Sequence, residues 1–316
     1  MNNTPTTPTT TPNIDLNQFK HILKLDSLDL LGYASKILQK HNYNTHKWKC
    51  ADYLYCEGNI PILLVAHVDT VHKTLPNKIY YDHSEKVLWS PDGIGGDDRC
   101  GVYAILHLIS DNDKLKPHIL FTNYEEIGGL GARQFIDDYP DIPNINFIIE
   151  IDRHGCNDAV FYECGNIDFQ DYILNFGFAS NHGTFSDISI LSPSWNVASV
   201  NLSSGYYHEH TYSEYIKLKH LTSTINKIKR ILLDNIQHST HYDYQEITYQ
   251  YKNVYKWSGT KWDYNDYTHY DDIEDTLTTP TTPNTPTTIS NKINGITEWN
   301  KTGALMSRKK DNTNSK

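Results

Sequence analysis

Apolar residues along the chain fall into short blocks separated by polar, glycine-rich or proline-rich punctuation, and the period changes from block to block. From Leu16 to Lys40 leucines recur at helical spacing, which predicts one or two amphipathic helices. WKCADYLYC and ILLVAHV read as neighbouring strands, and KIYYDHSEKVLW reads as a hairpin turning at His83 to Glu85. HILFTNY and NINFIIEID are further apolar strands. Helices are expected over Asp98–Leu108 and Gly129–Asp137, each just beyond a glycine-rich turn. AVFYECG then reads as a strand, DFQDYILNFG as a short helix, WNVASVNL as a strand, and Tyr215 to Ile236 as a closing helix. Strands alternating with helices indicate an α/β domain.

Three of these strands release a chemically active side chain at the C-terminal end, where open α/β sheets place their ligand sites. His67 closes PILLVAH, Glu125 and Glu126 follow HILFTNY, and Asp152 closes NINFIIEID. Asp97 lies in the turn DGIGGDD, and His210 opens HTYSEYI. Neutral imidazole and carboxylate are the ligand types zinc takes, and catalytic zinc keeps one position open. Two histidines and three carboxylates serve two ions about 3.5–4 Å apart if one carboxylate bridges. Asp97 is then the bridge, with His67 and Asp152 on one ion and Glu126 and His210 on the other. Asp69, two residues beyond His67 on a strand, shares its face and can hold the other imidazole nitrogen. Glu125 and Glu126 are adjacent and diverge, so one can bind metal while the other faces a bridging water as general base. GIGGDD lacks the Lys-Ser/Thr pair of a phosphate loop.

The motifs His-x-Asp-Thr-Val, Gly-x-x-Asp-Asp-Arg-x-Gly-Val, Glu-Glu-x-Gly-x-x-Gly-Ala, Ile-Asp and His-Thr-x-x-Glu-Tyr stand here in one order. In that order they resemble the co-catalytic zinc exopeptidases, which include peptidase T, acetylornithine deacetylase relatives and single-domain zinc aminopeptidases. The resemblance covers roughly Leu16 to Leu233. It implies a three-layer α/β/α sandwich with a mostly parallel mixed central sheet, and Glu125 as catalytic base. It also implies a peptide or small amide substrate and two Zn2+ ions, with Co2+ or Mn2+ compatible with the same donors. Peptidase T and the deacetylases carry an inserted lid between the last two ligands. Here the interval from Arg153 to Glu209 is too short for a domain of about 100 residues, so a lidless, single catalytic domain is expected. Asp187, His208 and Arg153 are candidate substrate contacts, with helix capping the alternative for Asp187. An acidic rim of Glu125, Asp187 and Glu209 would favour a free α-amino group, whereas a carboxylate facing Arg99 or Arg153 would favour the other peptide end.

Composition bounds the rest. TPTTPTTTPN near the start and the Thr/Pro run at 278–288 cannot bury enough apolar surface to offset chain entropy. The expected organisation is a tail over 1–15, a catalytic domain over 16–240, a Tyr/Asp-rich appendage over 241–275 and a polar tail over 276–316. The net charge of −10, with no basic run beyond Arg308–Lys310, argues against nucleic acid. No apolar stretch reaches membrane-spanning length, and no apolar signal region opens the chain. Five cysteines without a Cys-x-x-Cys pair suggest free thiols in a reducing, cytoplasmic setting. Beyond an aminopeptidase, the sequence leaves open a deacylase or carboxypeptidase, and a catalytically silent zinc domain that binds peptides.

Overall fold

The computed structural model describes residues 14–46, 52–112, 114–141, 144–247, 255–257 and 262–264, and helices and strands alternate through the described residues from 14 to 247. Two short helices open it. α1 (Leu16–Ile22) is capped by the Asp15 carboxylate, which accepts from the N–H groups of Asn17 and Gln18, and α2 (Ser27–Lys40) is capped by Asp26. The following elements are β1 (Thr45–His46), β2 (Tyr53–Cys56), β3 (Ile60–His67), β4 (Tyr80–Asp82), β5 (Val87–Trp89), α3 (Gly96–Asp111), β6 (Pro117–Thr122) and α4 (Leu130–Asp138). β7 (Phe147–Arg153), β8 (Asp158–Val160), α5 (Ile167–Leu174), β9 (Ala179–Asn181), α6 (Ile188–Trp195), β10 (Ser199–Ser203), β11 (Tyr206–Tyr207), β12 (Tyr215–Lys217) and α7 (Leu218–Gln237) complete this unit. In the second unit, from Tyr251 onward, β13 (Tyr255–Trp257) and β14 (Trp262–Tyr264) pair antiparallel.

The main sheet has eight strands in the order β1-β2-β6-β3-β7-β10-β8-β9. β6, β3, β7 and β10 run parallel at its centre, and antiparallel pairings occur between β1 and β2, β2 and β6, and β10 and β8. Strand pleating divides β3 between two cores. Ile62, Leu64 and Ala66 join the cluster that includes Leu38, Val102, Ile105, Ile225 and Ile228, whereas Leu63 and Val65 join Ala132, Phe135, Ile188 and Leu191. Helices therefore cover both faces, which is why the central strands read as unbroken apolar runs.

Four details depart from the expected elements. β2 and β3 are not neighbours, because β6 lies between them. The chain leaving β2 crosses the start of β6 at Gly58, where a side-chain Cβ would sit 2.2 Å from the Lys116 carbonyl oxygen, and Asn59 and Ile60 both donate to that carbonyl. The closing helix begins at Leu218, since Tyr215–Lys217 is drawn into strand β12 against β5. α3 opens at Gly96 with non-helical backbone at Asp97 and Asp98, whose shared peptide is cis. Finally, Tyr242 to Ile247, expected within the appendage, is bonded to the core: Ala198 donates to the Tyr242 carbonyl at 2.8 Å, and Tyr242 donates to that of Asn146 at 3.0 Å.

A second sheet, β11-β12-β5-β4, is wholly antiparallel, and its register places Tyr80, Trp89, Tyr215 and Tyr207 in one cross-strand row. No helix among the described residues is long and apolar enough to cross a membrane.

Candidate metal centre

The C-terminal ends of β3 and β7, the turn after β6, the kinked start of α3 and the β11–β12 loop converge. His67 is the last residue of β3 and Asp152 the penultimate residue of β7. Glu125 and Glu126 follow β6 in a turn that Tyr124 enters with φ of 65°. His210 lies between β11 and β12, with φ of 61°. Tyr206 and Tyr207 pair with Ile216 and Tyr215, so the register of this hairpin aims His210 at Asp97.

The donor atoms form two sets that share one residue. His67 Nε2 lies 3.1 Å from Asp97 Oδ1 and 3.5 Å from Asp152 Oδ1. His210 Nε2 lies 3.1 Å from Asp97 Oδ2 and 3.2 Å from Glu126 Oε2. Two ligands on one tetrahedral zinc, each about 2.0–2.2 Å from the ion, stand about 3.3–3.5 Å apart. Both sets therefore have ligand–ligand spacing, and the two oxygens of Asp97 face different histidines. Atoms of His67, Asp97 and Glu126 also lie within 4.8 Å of one another across the sets. Glu125 stands apart, with Oε2 4.0 Å from His67 Nε2.

The centre is rich in buried carboxyl groups. Asp97, Asp98, Glu150 and Asp187 are buried around His67, and Glu126 Oε1 is buried without a hydrogen-bond partner. Burial pushes the Asp152 carboxyl well up, and the neighbouring Asp97 carboxylate adds to it. Burial also pushes Glu125 up; His67 opposes this, but Asp187, Glu150 and Glu126 reinforce it, to about 8. For His67 burial acts downward and is outweighed by Asp152, Asp69 and Asp97, leaving the ring well above the ordinary histidine range. The hydrogen bond to Asp97 raises His210 to about 9. Divalent ions in the two donor sets would supply positive charge that favours the ionised form of these buried carboxyls.

Several residues hold this arrangement from behind. Asp69 Oδ1 sits 3.3 Å from His67 Nδ1, at ion-pair distance but outside straight hydrogen-bond geometry. The Asp69 carboxylate also accepts the backbone N–H groups of Glu125 and Glu126, each at 3.2 Å. Asn201 on β10 clamps Asp152 reciprocally, accepting its N–H and donating to its carbonyl at 2.9 Å each. Tyr206 donates its hydroxyl to Asp152 Oδ1 at 3.2 Å. Asp98 caps the regular part of α3 by accepting the Gly101 N–H at 3.0 Å. Sequence reading missed Asn201, Glu150 and Glu214. Glu214 stands inside the His-Thr-x-x-Glu motif, and Glu150 is two residues before Asp152 on the same strand face, so both carried a signal; Asn201 carried none.

The three expected substrate contacts take different positions around this cluster. Asp187 is fully buried rather than on the rim. It accepts from the Thr122 hydroxyl and makes no capping bond to α6, while burial raises its carboxyl to about 6. The acidic rim thus loses one member, and Glu209 is paired with His154 at 2.6 Å. His208 is exposed, with its ring edge-on against Tyr215. Arg153 donates from Nη2 to the His182 carbonyl at 3.1 Å, and its Nε lies 3.8 Å from Asp158.

No known family model matches the chain. The fold is similar to aminopeptidase PepT from Bacillus cereus (12% identity, 69% of this chain and 96% of that one, TM-score 0.57). It is also similar to a tripeptidase from Staphylococcus aureus (16% identity, 69% and 98%, TM-score 0.56) and to a Zn-dependent exopeptidase from Parabacteroides distasonis (15% identity, 71% and 99%, TM-score 0.51). Among curated proteins, a probable carboxypeptidase of Emericella nidulans is 29% identical over 132 residues, which is 35% of this chain and 31% of that protein. The chain therefore matches about a third of the length of that relative. The architecture is the mixed, mostly parallel α/β fold of the zinc-dependent exopeptidases.

Proposed function

We propose that this chain is a di-zinc exopeptidase that removes residues from the amino end of peptides. The observation that carries the reading is the placement of Asp97, with one carboxylate oxygen 3.1 Å from His67 Nε2 and the other 3.1 Å from His210 Nε2. His67, Asp97 and Asp152 would hold one ion, and Asp97, Glu126 and His210 the other. Bound there, the ions supply Lewis-acid polarisation of the scissile carbonyl and a water acidified to near neutral pH.

The remaining work falls to the chain. Glu125, outside both donor sets, takes the proton of the attacking water on its carboxylate and returns it to the departing amine. Its high proton affinity in the buried site suits the second task, and positive charge in the donor sets would draw the carboxyl back toward ionisation for the first. Asp69 keeps Glu125 and His67 in one frame through its contacts to both.

The choice of the amino end is supported by what the two candidate arginines do. Arg153 is engaged with the His182 carbonyl and lies near Asp158, and Arg99 is 1% exposed with Nη2 donating to the Leu25 carbonyl. Neither offers an open guanidinium to a substrate carboxylate, whereas the carboxylate-rich centre favours an ammonium group. A second reading, a carboxypeptidase or deacylase, is favoured by the similarity to the probable carboxypeptidase of Emericella nidulans.

The test is turnover of one short peptide in three forms, free, N-acetylated and C-terminally amidated, with zinc, cobalt or manganese supplied. Loss on N-acetylation alone supports the aminopeptidase. Loss on amidation alone supports the second reading, and no turnover of any form with any metal overturns both.

A further inference from the structure

Glu214 is a glutamate with a 1% exposed side chain on the loop that carries His210, yet it belongs to neither donor set. Its Oε1 accepts the backbone N–H of Asp97 at 3.0 Å. Its Oε2 accepts the N–H of Gly95 at 2.9 Å and meets His72 Nε2 at 2.9 Å. These three partners lie on two segments, and Glu214 lies on a third. His72 lies on the segment that follows His67 and Asp69, Gly95 and Asp97 form the glycine turn into α3, and Glu214 itself is four residues past His210.

The surroundings leave each contact little alternative. Gly95 sits at φ of 65°, and a Cβ there would be 2.9 Å from the Arg99 guanidinium. Gly93, at φ of 81°, lies against the His72 imidazole so closely that a Cβ would be 2.4 Å from the ring. The turn thus presents backbone N–H groups that only a buried acceptor can satisfy, and Glu214 is that acceptor.

We infer that Glu214 is the positioning residue that makes Asp97 a shared ligand, by clamping the glycine turn and the His67–His72 segment to the His210 loop. The inference rests on the two-ion reading given above. A carboxylate has two acceptor faces for two N–H groups, so an amide at this position must turn an NH2 group toward one of them. Glu214→Gln therefore releases either Asp97 or Gly95 without touching a metal donor. Both ions should weaken together, because Asp97 belongs to both sets, and groups that orient metal ligands typically act on affinity by about 10–100-fold. A glutamate that merely stabilised its loop would lower melting temperature and leave ion affinities in the folded protein unchanged.

The experiment is cobalt titration of the metal-free full chain, followed by visible absorption and calorimetry, with circular dichroism as the fold control. Wild type should take two ions, and Glu214→Gln should take both at least tenfold more weakly, with faster amide exchange at Gly95 and Asp97. His72→Ala keeps the clamp on Asp97 and should weaken chiefly the ion held with His67. If Glu214→Gln does not fold, His72→Ala decides: two native affinities in it overturn the inference. Two native affinities and a native spectrum in folded Glu214→Gln also overturn it. Wild type that takes no cobalt overturns the two-ion reading as well, so the two failures are distinguishable.

Discussion

Asp69 and Glu125, far apart in sequence, are joined by a hydrogen bond from the Glu125 backbone N–H to Asp69 Oδ1 at 3.2 Å. The other oxygen of Asp69 accepts the Glu126 N–H, while Oδ1 also lies beside His67 Nδ1. One carboxylate thus sets the position of an imidazole donor and of both glutamates. Burial opposes its ionisation, but these contacts outweigh burial and hold it below the ordinary carboxylate range. In Asp69→Asn only one oxygen remains for three partners. Metal affinity or kcat/KM should fall about 10–100-fold with the fold intact, as is usual for groups supporting a metal ligand. Unchanged values in the folded variant would show that the turn positions itself.

The two adjacent glutamates should fail differently. Glu125→Gln removes only the proton acceptor, so turnover should drop by about 10²–10⁴-fold while both ions stay bound. Glu126→Gln replaces a carboxylate oxygen 3.2 Å from His210 Nε2 with a neutral amide and should weaken one site. Elemental analysis of the two purified variants checks this, and equal metal loss in both would refute the assignment.

Asp97→Ala should abolish tight binding of both ions, whereas His67→Ala should chiefly empty one. The reason is the opposed orientation of the Asp97 oxygens toward His67 and His210. Calorimetry that finds two intact sites in Asp97→Ala would exclude a shared carboxylate.

Tyr242 supports the domain from beyond the closing helix. Its ring packs on Phe147, Phe169 and Tyr172, and its backbone bonds to both Ala198 and Asn146. Tyr242→Ala should cost about 2–3 kcal/mol, less than a fully buried aromatic because the ring is partly exposed. Truncation after residue 240 should cost more, since Gln245 and Ile247 also bond to the core. Urea denaturation measures both, and a truncated chain as stable as the full one would rule out docking.

His118 gives a stability change with a defined sign. Burial pushes its pKa below the ordinary value, and its ring meets the Tyr55 hydroxyl at 2.9 Å. The unfolded chain therefore takes up the proton first. This contribution is complete above the ordinary histidine pKa of about 6.5 and is lost as pH falls toward the depressed folded value. Between about pH 7.5 and about pH 5.5, wild type should lose more stability than His118→Gln. Parallel curves for the two proteins would remove the linkage.

Much of this was legible in the residues because the signals are local. Apolar blocks ending in His67 or Asp152 identify strands and their C-terminal ends, since strand patterning depends on adjacent residues. The same holds for the Asp97 turn, the glutamate pair and the fold class. Contacts between distant segments were not legible. β6 enters between β2 and β3 because Gly58 lets the chain cross the Lys116 carbonyl, which strand patterns do not encode. Asp187, a rim candidate in sequence, is buried beside Thr122 because α6, which it precedes, packs through Ile188 and Leu191 on the sheet face of Leu63 and Val65. Glu214 stood in view within a motif, but its role required His72, Gly95 and Asp97 to fold around it. Side-chain type and spacing determine which chemistry the chain can offer; burial and partnership depend on segments far apart in sequence, and only the packed structure settles those.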